Sequence, residues 1–228
     1  MDTVKIPSAI LGSSATEIAQ KIAAGELSAR EVVEAHIQRI EEVNPRLNAV
    51  IIPLFEQARS QAKTADEARS RGETLGLLHG VPITIKESFD VAGTVSNMGI
   101  SALSQTAKQD APLVKRLQQA GAIILGKTNV PQLLASNESD NPVYGRTVNP
   151  WNPERSPGGS SGGEAAIIAA EGSCLGLGSD IGGSVRMPAH ACGICSLKPR
   201  HLRSHQPLTR CPWDTLHEEG HGKSRQSP

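Results

Sequence analysis

Two short clusters of glycine and serine carry the most chemical potential in this sequence. They lie at residues 157–163 and 178–186, and nine glycines fall between Gly158 and Gly183, far above the usual ~7%. Apolar residues join the two clusters, which argues against a flexible glycine–serine linker. The segment Gly182-Gly183-Ser184 could present consecutive backbone N–H groups around one hydroxyl, and an oxyanion hole requires that arrangement.

One lysine, Lys86, closes an apolar run that begins at Ile83 and has the character of a strand. Strand ends in α/β sheets are where ligands and catalytic groups collect. An apolar setting removes water from the ammonium group and so favours the neutral, basic form of lysine. Lys86 is therefore a candidate functional lysine.

Residues Gly121–Thr128 satisfy the phosphate-binding pattern G-x-x-x-x-G-K-[ST]. Such a loop wraps flexible backbone around the phosphates after a strand and before a helix. Here the four intervening residues are themselves the strand-like run, and Pro131 lies where the helix should continue. The sequence therefore predicts a strand and not a nucleotide site.

The pattern G-x-S-x-G occurs twice, centred on Ser160 and Ser161. A nucleophile elbow of an α/β hydrolase needs a strand that leads directly into the first glycine. Three prolines lie in the nine preceding residues and argue against a central strand. His190 is the only histidine between the motif and residue 200. A Ser–His–Asp hydrolase is therefore not predicted.

Cys192 and Cys195 have C-x-x-C spacing, but no second pair lies at the distance of a zinc ribbon. Small apolar neighbours favour burial of both thiols. Four cysteines in 228 residues are too few for a disulfide scaffold, and they favour a reducing, cytoplasmic location.

Alternating strand and helix signals predict an α/β sheet with helices on its faces. Capping boxes at Ser14/Glu17 and Ser28/Glu31 begin two helices, the first ending at Gly25 and the second at Asn44-Pro45. Further helices are predicted over 55–71, which we expect to be exposed, and over 110–120 and 164–170. Strands are predicted over 49–52, 81–86, 122–125, 174–178 and 194–197, and Pro82 places the second of these at a sheet edge or at a strand start.

The composition excludes several classes of function. The chain is 38% hydrophobic and 20% charged, and its 23 basic residues balance 23 acidic ones. A net charge of zero gives no reason to expect nucleic acid or an anionic membrane as a partner. No apolar run approaches the ~20 residues of a membrane helix, and the first twenty residues do not have the pattern of a signal peptide.

Residues 200–228 differ from the rest of the chain. They contain no alanine, valine, isoleucine, methionine or phenylalanine, and only 5 of 29 are apolar. No period-2 or period-3.6 pattern is present, so we interpret the segment as a disordered tail outside the folded domain at 1–199.

Three stretches together resemble the amidase signature family: Gly80–Lys86, Gly126–Asn129 and Asn149–Pro199. The resemblance covers roughly Thr16 to Pro199. It implies an α/β amidase-signature fold, with a mixed central sheet covered by helices, of which this chain holds the N-terminal half. After Pro199 the family pattern stops, which suggests translation out of frame or an alternative end to the message.

The resemblance also implies a Ser–cisSer–Lys triad. Ser184 matches the nucleophile, Ser160 the serine that follows a cis peptide bond and relays the proton, and Lys86 the base. The backbone N–H groups of four consecutive residues match the oxyanion hole: Ile181, Gly182, Gly183 and Ser184. Ser161 and Asp180 match supporting polar positions, and Arg186 is expected to be a buried structural cation.

The function implied by the resemblance is hydrolysis of a carboxamide in a small molecule through an acyl-enzyme. Lysine and serines suffice for the proton transfers, so neither a metal nor another cofactor is predicted. The alternatives are the amidase subunit of a tRNA-dependent amidotransferase, which acts on glutamine within a complex, and a truncated product without activity. A homodimer is left open.

Overall fold

The computed structural model describes residues 10–73 and 75–199, and the predicted tail lies outside them. The helices are α1 (Ala15–Ala24), α2 (Ala29–Leu47), α3 (Phe55–Ser70), α4 (Pro112–Gln119), α5 (Gly162–Ala169) and α6 (Arg186–Cys192). The strands are β1 (Val50–Pro53), β2 (Pro82–Lys86), β3 (Val95–Ser96), β4 (Gln105–Thr106), β5 (Ile123–Thr128) and β6 (Gly176–Leu177). Short 3-10 turns occupy Ser101–Leu103 and Gln132–Leu134.

Both N-terminal helices begin at their predicted capping boxes. In each box the serine side chain accepts a hydrogen bond from the glutamate N–H, and the glutamate carboxylate accepts one from the serine N–H. This exchange satisfies donors that a helix N-terminus otherwise leaves unpaired. Gly25 ends α1 with φ 78°, in the left-handed region that glycine adopts easily.

Helix α2 continues through Pro45 to Leu47, so the predicted end at Asn44-Pro45 was wrong. The side chain of Asn44 explains the extension. Its Oδ1 accepts hydrogen bonds from the N–H groups of Ala49 and Val50, both at 2.8 Å, and its Nδ2 donates to the Val50 carbonyl at 2.8 Å. These bonds fasten the last turn to β1 and offset the N–H that proline lacks.

The main sheet has four strands in the order β1-β5-β2-β6. Strand β1 is antiparallel to β5, whereas β2 is parallel to both of its neighbours, β5 and β6. The predicted mixed sheet is therefore confirmed. The two-residue strands β3 and β4 form a separate antiparallel pair that the sequence did not predict.

Strand β2 occupies a central position, so an edge location, one of the two expected from Pro82, was wrong. The other alternative is correct, since Pro82 is the first residue of the strand, where a missing N–H does least harm. All five residues of β2 are buried. Lys86 is the last residue of this strand, so it lies at the carboxyl end of a central strand and is buried.

Strand β5 covers Ile123–Thr128 and every residue in it is buried. The run that matched a phosphate-binding loop is thus a strand, as predicted. The strand expected over 194–197 does not form, and Leu197 is 73% exposed. Among the described residues no strand pairs with that segment.

The hydrophobic core lies between the sheet and the helices α2, α3 and α5. Its fully buried members are mostly β-branched, which suits a sheet packed on both faces. Representative core residues are Ile18, Ile22, Val32, Ile37, Ile83, Ile85, Leu125 and Ile167. Helix α3 is polar but only partly exposed, since seven of its sixteen residues are exposed, and Ala58 and Ala62 are buried against the core.

The two cysteines of the C-x-x-C pair have different environments. Cys192 is fully buried, as predicted, and burial raises its pKa to about 12. Cys195 is exposed, against the prediction, because α6 ends at Cys192 with Gly193 as its C-cap, and the chain then leaves the core.

Helix α5 approaches the sheet closely at Gly163. A Cβ atom there would lie 2.5 Å from the Asn129 N atom and 2.9 Å from the Ala49 O atom. Since backbone atoms cannot move aside easily, we expect Gly163→Ala to lower the free energy of unfolding by about 1–3 kcal/mol. Denaturant unfolding measures the effect. Gly182→Ala is the control, because nothing lies within 4 Å of that Cβ position, and an equal loss in both variants would contradict the close approach.

Candidate active site

The centre of the site is a hydrogen bond between two buried side chains. Lys86 Nζ donates to Ser160 Oγ at 2.7 Å, and the lysine and serine are 0% and 2% exposed. Lys86 Nζ also lies 2.9 Å from the hydroxyl of Ser179 and 3.4 Å from its carbonyl oxygen. The end of β2, the first glycine–serine cluster and the loop after β6 therefore meet at one ammonium group.

The peptide bond between Gly159 and Ser160 is cis, as the resemblance implied. Ser139, a residue the sequence analysis did not single out, fastens this turn. Its hydroxyl donates to the Gly158 carbonyl at 3.1 Å and accepts from the Gly162 N–H at 3.1 Å. The turn that presents Ser160 is thus held at both ends, and α5 follows it directly.

Ser184 lies beside the Ser160 turn and is partly exposed. Its carbonyl oxygen accepts a hydrogen bond from the Ser161 N–H at 3.1 Å, which joins the two glycine–serine clusters. Across the described chain, the Ser184 hydroxyl makes no hydrogen bond to Ser160. The structure therefore brings the candidate nucleophile next to the relay serine through backbone contact. Its catalytic role stays a prediction.

Asp180 organises the loop that carries Ser184. Its carboxylate accepts N–H bonds from Gly183 at 2.8 Å and Val185 at 3.2 Å, and the Arg186 guanidinium donates two bonds to it, both at 3.0 Å. The hydrogen-bonded Arg186 guanidinium, together with the N–H donors, holds the pKa of Asp180 well below its usual range.

Arg186 was expected to be buried, and that expectation was wrong. Its side chain is 57% exposed, while that of Asp180 is 1% exposed. One edge of the guanidinium satisfies the buried carboxylate and the rest stays hydrated, so the pair avoids the cost of burying two charges. Arg186 braces the Ser184 loop from its outer surface.

The four N–H groups predicted for the oxyanion hole differ in whether they are already hydrogen-bonded within the protein. That of Gly183 donates to Asp180 at 2.8 Å. Those of Ile181, Gly182 and Ser184 make no hydrogen bond to any described residue, and Ile181 is fully exposed. Three of the predicted donors are therefore open to a ligand oxygen, and their role stays a prediction.

The charge state of Lys86 is set mainly by burial. Loss of water lowers the pKa of Lys86 to about 8, while the carboxylates of Glu164 and Asp180 act in the opposite direction. With that pKa, about a tenth of Lys86 is neutral at pH 7 and about half at pH 8. A neutral amine hydrogen-bonded to a serine hydroxyl has the arrangement of a general base and its substrate proton.

A second buried lysine, Lys127, was not recognised in the sequence. It lies on β5 opposite Ile85, on the sheet face away from Lys86. Its Nζ donates to the Val95 carbonyl and the Ser96 hydroxyl, both at 2.8 Å, and burial lowers its pKa to about 8. Lys127 thereby fixes strand β3 to the sheet.

Over the described residues, no group of three or more His, Cys, Asp or Glu side chains could hold a metal ion. The same part of the chain contains no helix long and apolar enough to cross a membrane. The prediction that no cofactor is needed comes from the chemistry of the lysine and the serines, which suffice for the proton transfers, and it stays a prediction.

Comparison with known sequences identifies the family. The sequence model named Amidase matches residues 31–218. The chain belongs to the amidase family. The resemblance to amidase signature proteins is thus confirmed, and members of this family are hydrolases that act on carbon–nitrogen bonds.

Several named relatives are similar to this chain. The indoleacetamide hydrolase of Bradyrhizobium diazoefficiens is 48% identical over 191 residues, which cover 83% of this chain and 36% of the relative. A glutamyl-tRNA(Gln) amidotransferase subunit from Synechococcus sp. (strain CC9605) is 42% identical over 186 residues, which cover 81% of this chain and 38% of the relative. The chain thus spans well under half the length of these relatives.

Solved structures confirm the predicted fold class. A fatty acid amide hydrolase superposes with a TM-score of 0.78 at 38% identity, covering 82% of this chain and 33% of that enzyme. A bacterial aryl acylamidase of the amidase signature family gives 0.76 at 35% identity, covering 80% and 38%. This chain corresponds to part of the amidase-signature fold.

The contacts of Asp180 predict a stability that depends on pH. Asp180→Asn removes the acceptor charge, so we expect a loss of about 1–3 kcal/mol in the free energy of unfolding at pH 7. Because the folded pKa of Asp180 lies below its unfolded value of about 3.9, the difference between variant and parent should be complete above about pH 5 and shrink as pH falls further.

Denaturant unfolding of both proteins from pH 3 to pH 8 tests this expectation. Asp140→Asn, at an exposed position, is the control. A loss for Asp180→Asn that stays constant across the whole pH range would show that its charge does not stabilise the loop.

Proposed function

We propose that this chain carries the catalytic groups of an amidohydrolase that cleaves a carboxamide through an acyl-enzyme on Ser184. The observation that supports it most is the 2.7 Å hydrogen bond between the buried side chains of Lys86 and Ser160. The carbonyl oxygen of Ser184 accepts a hydrogen bond from the N–H of Ser161, the residue after Ser160. Membership of the amidase family adds support.

In acylation, neutral Lys86 takes the proton of Ser160 while Ser160 takes that of Ser184. Ser184 Oγ then forms a bond to the carbonyl carbon, and the carbonyl π electrons move to the oxygen. The N–H groups of Ile181, Gly182 and Ser184 are the available donors for that oxyanion, and Gly183 can join them by leaving Asp180. Each such donor typically contributes about 10²–10³ in rate.

Collapse of the tetrahedral intermediate breaks the carbon–nitrogen bond. The proton held by Lys86 returns through Ser160 to the leaving nitrogen, which departs as ammonia or an amine. Water then gives a proton to the same relay and attacks the acyl carbon. Release of the carboxylic acid returns the proton to Ser184 and regenerates the site.

The substrate class proposed is a small molecule with a carboxamide, as the name of the indoleacetamide hydrolase relative also suggests. A cytoplasmic location stays a prediction, and a homodimer stays open. Activity of this chain is itself part of the proposal, since the relatives are more than twice as long. Two apolar side chains near Ser184 are exposed to solvent, Ile181 at 101% and Met187 at 43% of their full accessible surface. Apolar surface left uncovered beside the site favours the alternative of an inactive product.

A second candidate is the amidase subunit of a tRNA-dependent amidotransferase. Relatives of that name at 42–43% identity favour it. This function requires partner subunits, so co-purification with them and hydrolysis of glutamine only in the complex would distinguish it from a free amidase. The chemistry at Lys86, Ser160 and Ser184 would be the same.

Replacement of the nucleophile tests the proposed reaction. We expect Ser184→Ala to abolish ammonia release from a panel of primary carboxamides that includes indoleacetamide, because no acyl-enzyme can form. Ser101→Ala, at an exposed position outside the site, should keep the parent rate. Unchanged hydrolysis by purified, folded Ser184→Ala would contradict the assignment of the nucleophile.

The proton acceptor predicts a pH profile. Since only neutral Lys86 can take a proton and its pKa lies at about 8, the rate should fall about tenfold for each pH unit below 8 and level off above it. Lys86→Ala should lower the rate at pH 7.5 by about 10²–10⁴. A flat profile from pH 6 to 9 in the parent would exclude Lys86 as the base.

A further inference from the structure

Glu164 is a buried carboxylate that the reaction above does not use. It is the third residue of α5 and is 4% exposed. One carboxylate oxygen accepts a hydrogen bond from Thr84 Oγ1 at 2.7 Å and the other accepts one from Thr128 Oγ1 at 2.8 Å. Thr84 lies on β2 and Thr128 on β5, so one side chain links the helix to two adjacent central strands.

The strand register places Lys86 on the same sheet face as these threonines. Lys86 follows Thr84 by two residues on β2, and it pairs with Thr128 on β5. Side chains two apart on a strand, and those directly paired across strands, point to the same face. The carboxylate of Glu164 therefore faces the region through which the Lys86 side chain passes.

The third strand is also shaped around this carboxylate. A Cβ atom at Gly176 on β6 would collide with the nearer carboxylate oxygen of Glu164. Residue 176 must therefore lack a side chain for Glu164 to reach Thr84. Three neighbouring strands contribute to one enclosed site for a single charge.

Two anionic groups act on Lys86, and they differ in how far they are compensated. Asp180, from the loop after β6, is paired with the Arg186 guanidinium and two N–H groups. Glu164, from α5, has only neutral hydroxyl partners. Its charge is therefore the less screened of the two, and it is the larger electrostatic influence that favours protonated Lys86.

We propose that Glu164 is a positioning residue that sets the proton affinity of Lys86 and holds the Ser160 turn at hydrogen-bond distance from it. Helix α5 begins two residues after Ser160, so the bonds from Glu164 to β2 and β5 fix where the turn lies relative to Lys86. The inference depends on the proposed function only for its effect on rate.

Burial raises the pKa of Glu164 to about 7, so the carboxylate is largely ionised where Lys86 titrates. Removal of that charge disfavours the ammonium form. Glu164→Gln should therefore lower the Lys86 titration midpoint by about one pH unit, a tenfold loss of proton affinity, within the range for a nearby opposite charge.

The midpoint is read directly by NMR on the full chain labelled with ¹³Cε-lysine, with the Lys86 signal assigned by its loss in Lys86→Arg. Glu87→Gln is the matched control. Glu87 is also fully buried, but its carboxylate accepts N–H bonds from Asn97 at 2.6 Å and Met98 at 3.0 Å. We expect the Lys86 midpoint in Glu87→Gln to equal that of the parent.

The rate of Ser184 labelling by a fluorophosphonate against pH gives the second readout. In Glu164→Gln the pH below which the labelling rate declines should be lower than in the parent, by the same amount as the NMR midpoint. If Glu164 had a purely structural role, its replacement would lower the maximal labelling rate at high pH and leave the pH at which the rate declines unchanged. That result would overturn the proposal. An equal midpoint in parent and Glu164→Gln would overturn it as well.

The two readouts separate this inference from the proposed function. A shifted Lys86 midpoint with no labelling of Ser184 in the parent would support the role of Glu164 and refute the reaction. If Glu164→Gln does not fold, Thr84→Val replaces it. That variant removes one hydroxyl donor, disfavours the ionised carboxylate, and should lower the Lys86 midpoint in the same direction. An unchanged midpoint there would overturn the inference.

Discussion

A lysine ammonium with no exposed surface needs partners from every side, and the structure around Lys86 is arranged to supply them. Its two hydroxyl partners, on Ser160 and Ser179, come from segments 74 and 93 residues away in sequence. Burial without a direct ion pair costs the charged form more than the neutral form. The fold thereby keeps a lysine partly unprotonated near neutral pH while holding a serine hydroxyl against it.

The sheet makes this convergence possible. Strand β2 is central and parallel to both neighbours, so its carboxyl end, with Lys86, opens onto the loops that follow β5 and β6. The cis turn at Ser160 begins α5, and Asp180 shapes the loop that brings Ser184 to the same place. The carboxylate of Glu164 fixes that helix to the strand that carries the lysine.

Local signals in the sequence predicted the parts of the fold that depend on local interactions. The capping boxes began α1 and α2 as expected, and the apolar run before Lys127 formed strand β5. The predicted end of α2 was wrong because the hydrogen bonds of the Asn44 side chain compensate for Pro45. A helical pattern in the sequence does not reveal such bonds. Helix α6 was missed because its seven residues follow a glycine-rich loop and include Pro188.

The candidate site was predicted through family resemblance more than through pattern. Pattern selected Lys86 from its strand-end position and apolar neighbours, and Gly182-Gly183-Ser184 as a possible oxyanion hole, whereas the role of Ser160 came from the resemblance. The roles of Glu164 and Ser139 depend on contacts with residues between 19 and 80 positions away, and sequence spacing carries no information about such contacts. Arg186 was expected in the interior from the family resemblance, yet the structure shows that a buried carboxylate can be neutralised from the surface.

The most direct test of the central claim is the mass of the intact protein after reaction with a fluorophosphonate, followed by peptide mapping. The account predicts one adduct per chain, on Ser184, with a rate that falls below pH 8 as Lys86 becomes protonated. Folded protein that gains no adduct, or gains it on another serine, would show that Lys86, Ser160 and Ser184 do not form a working site in this chain.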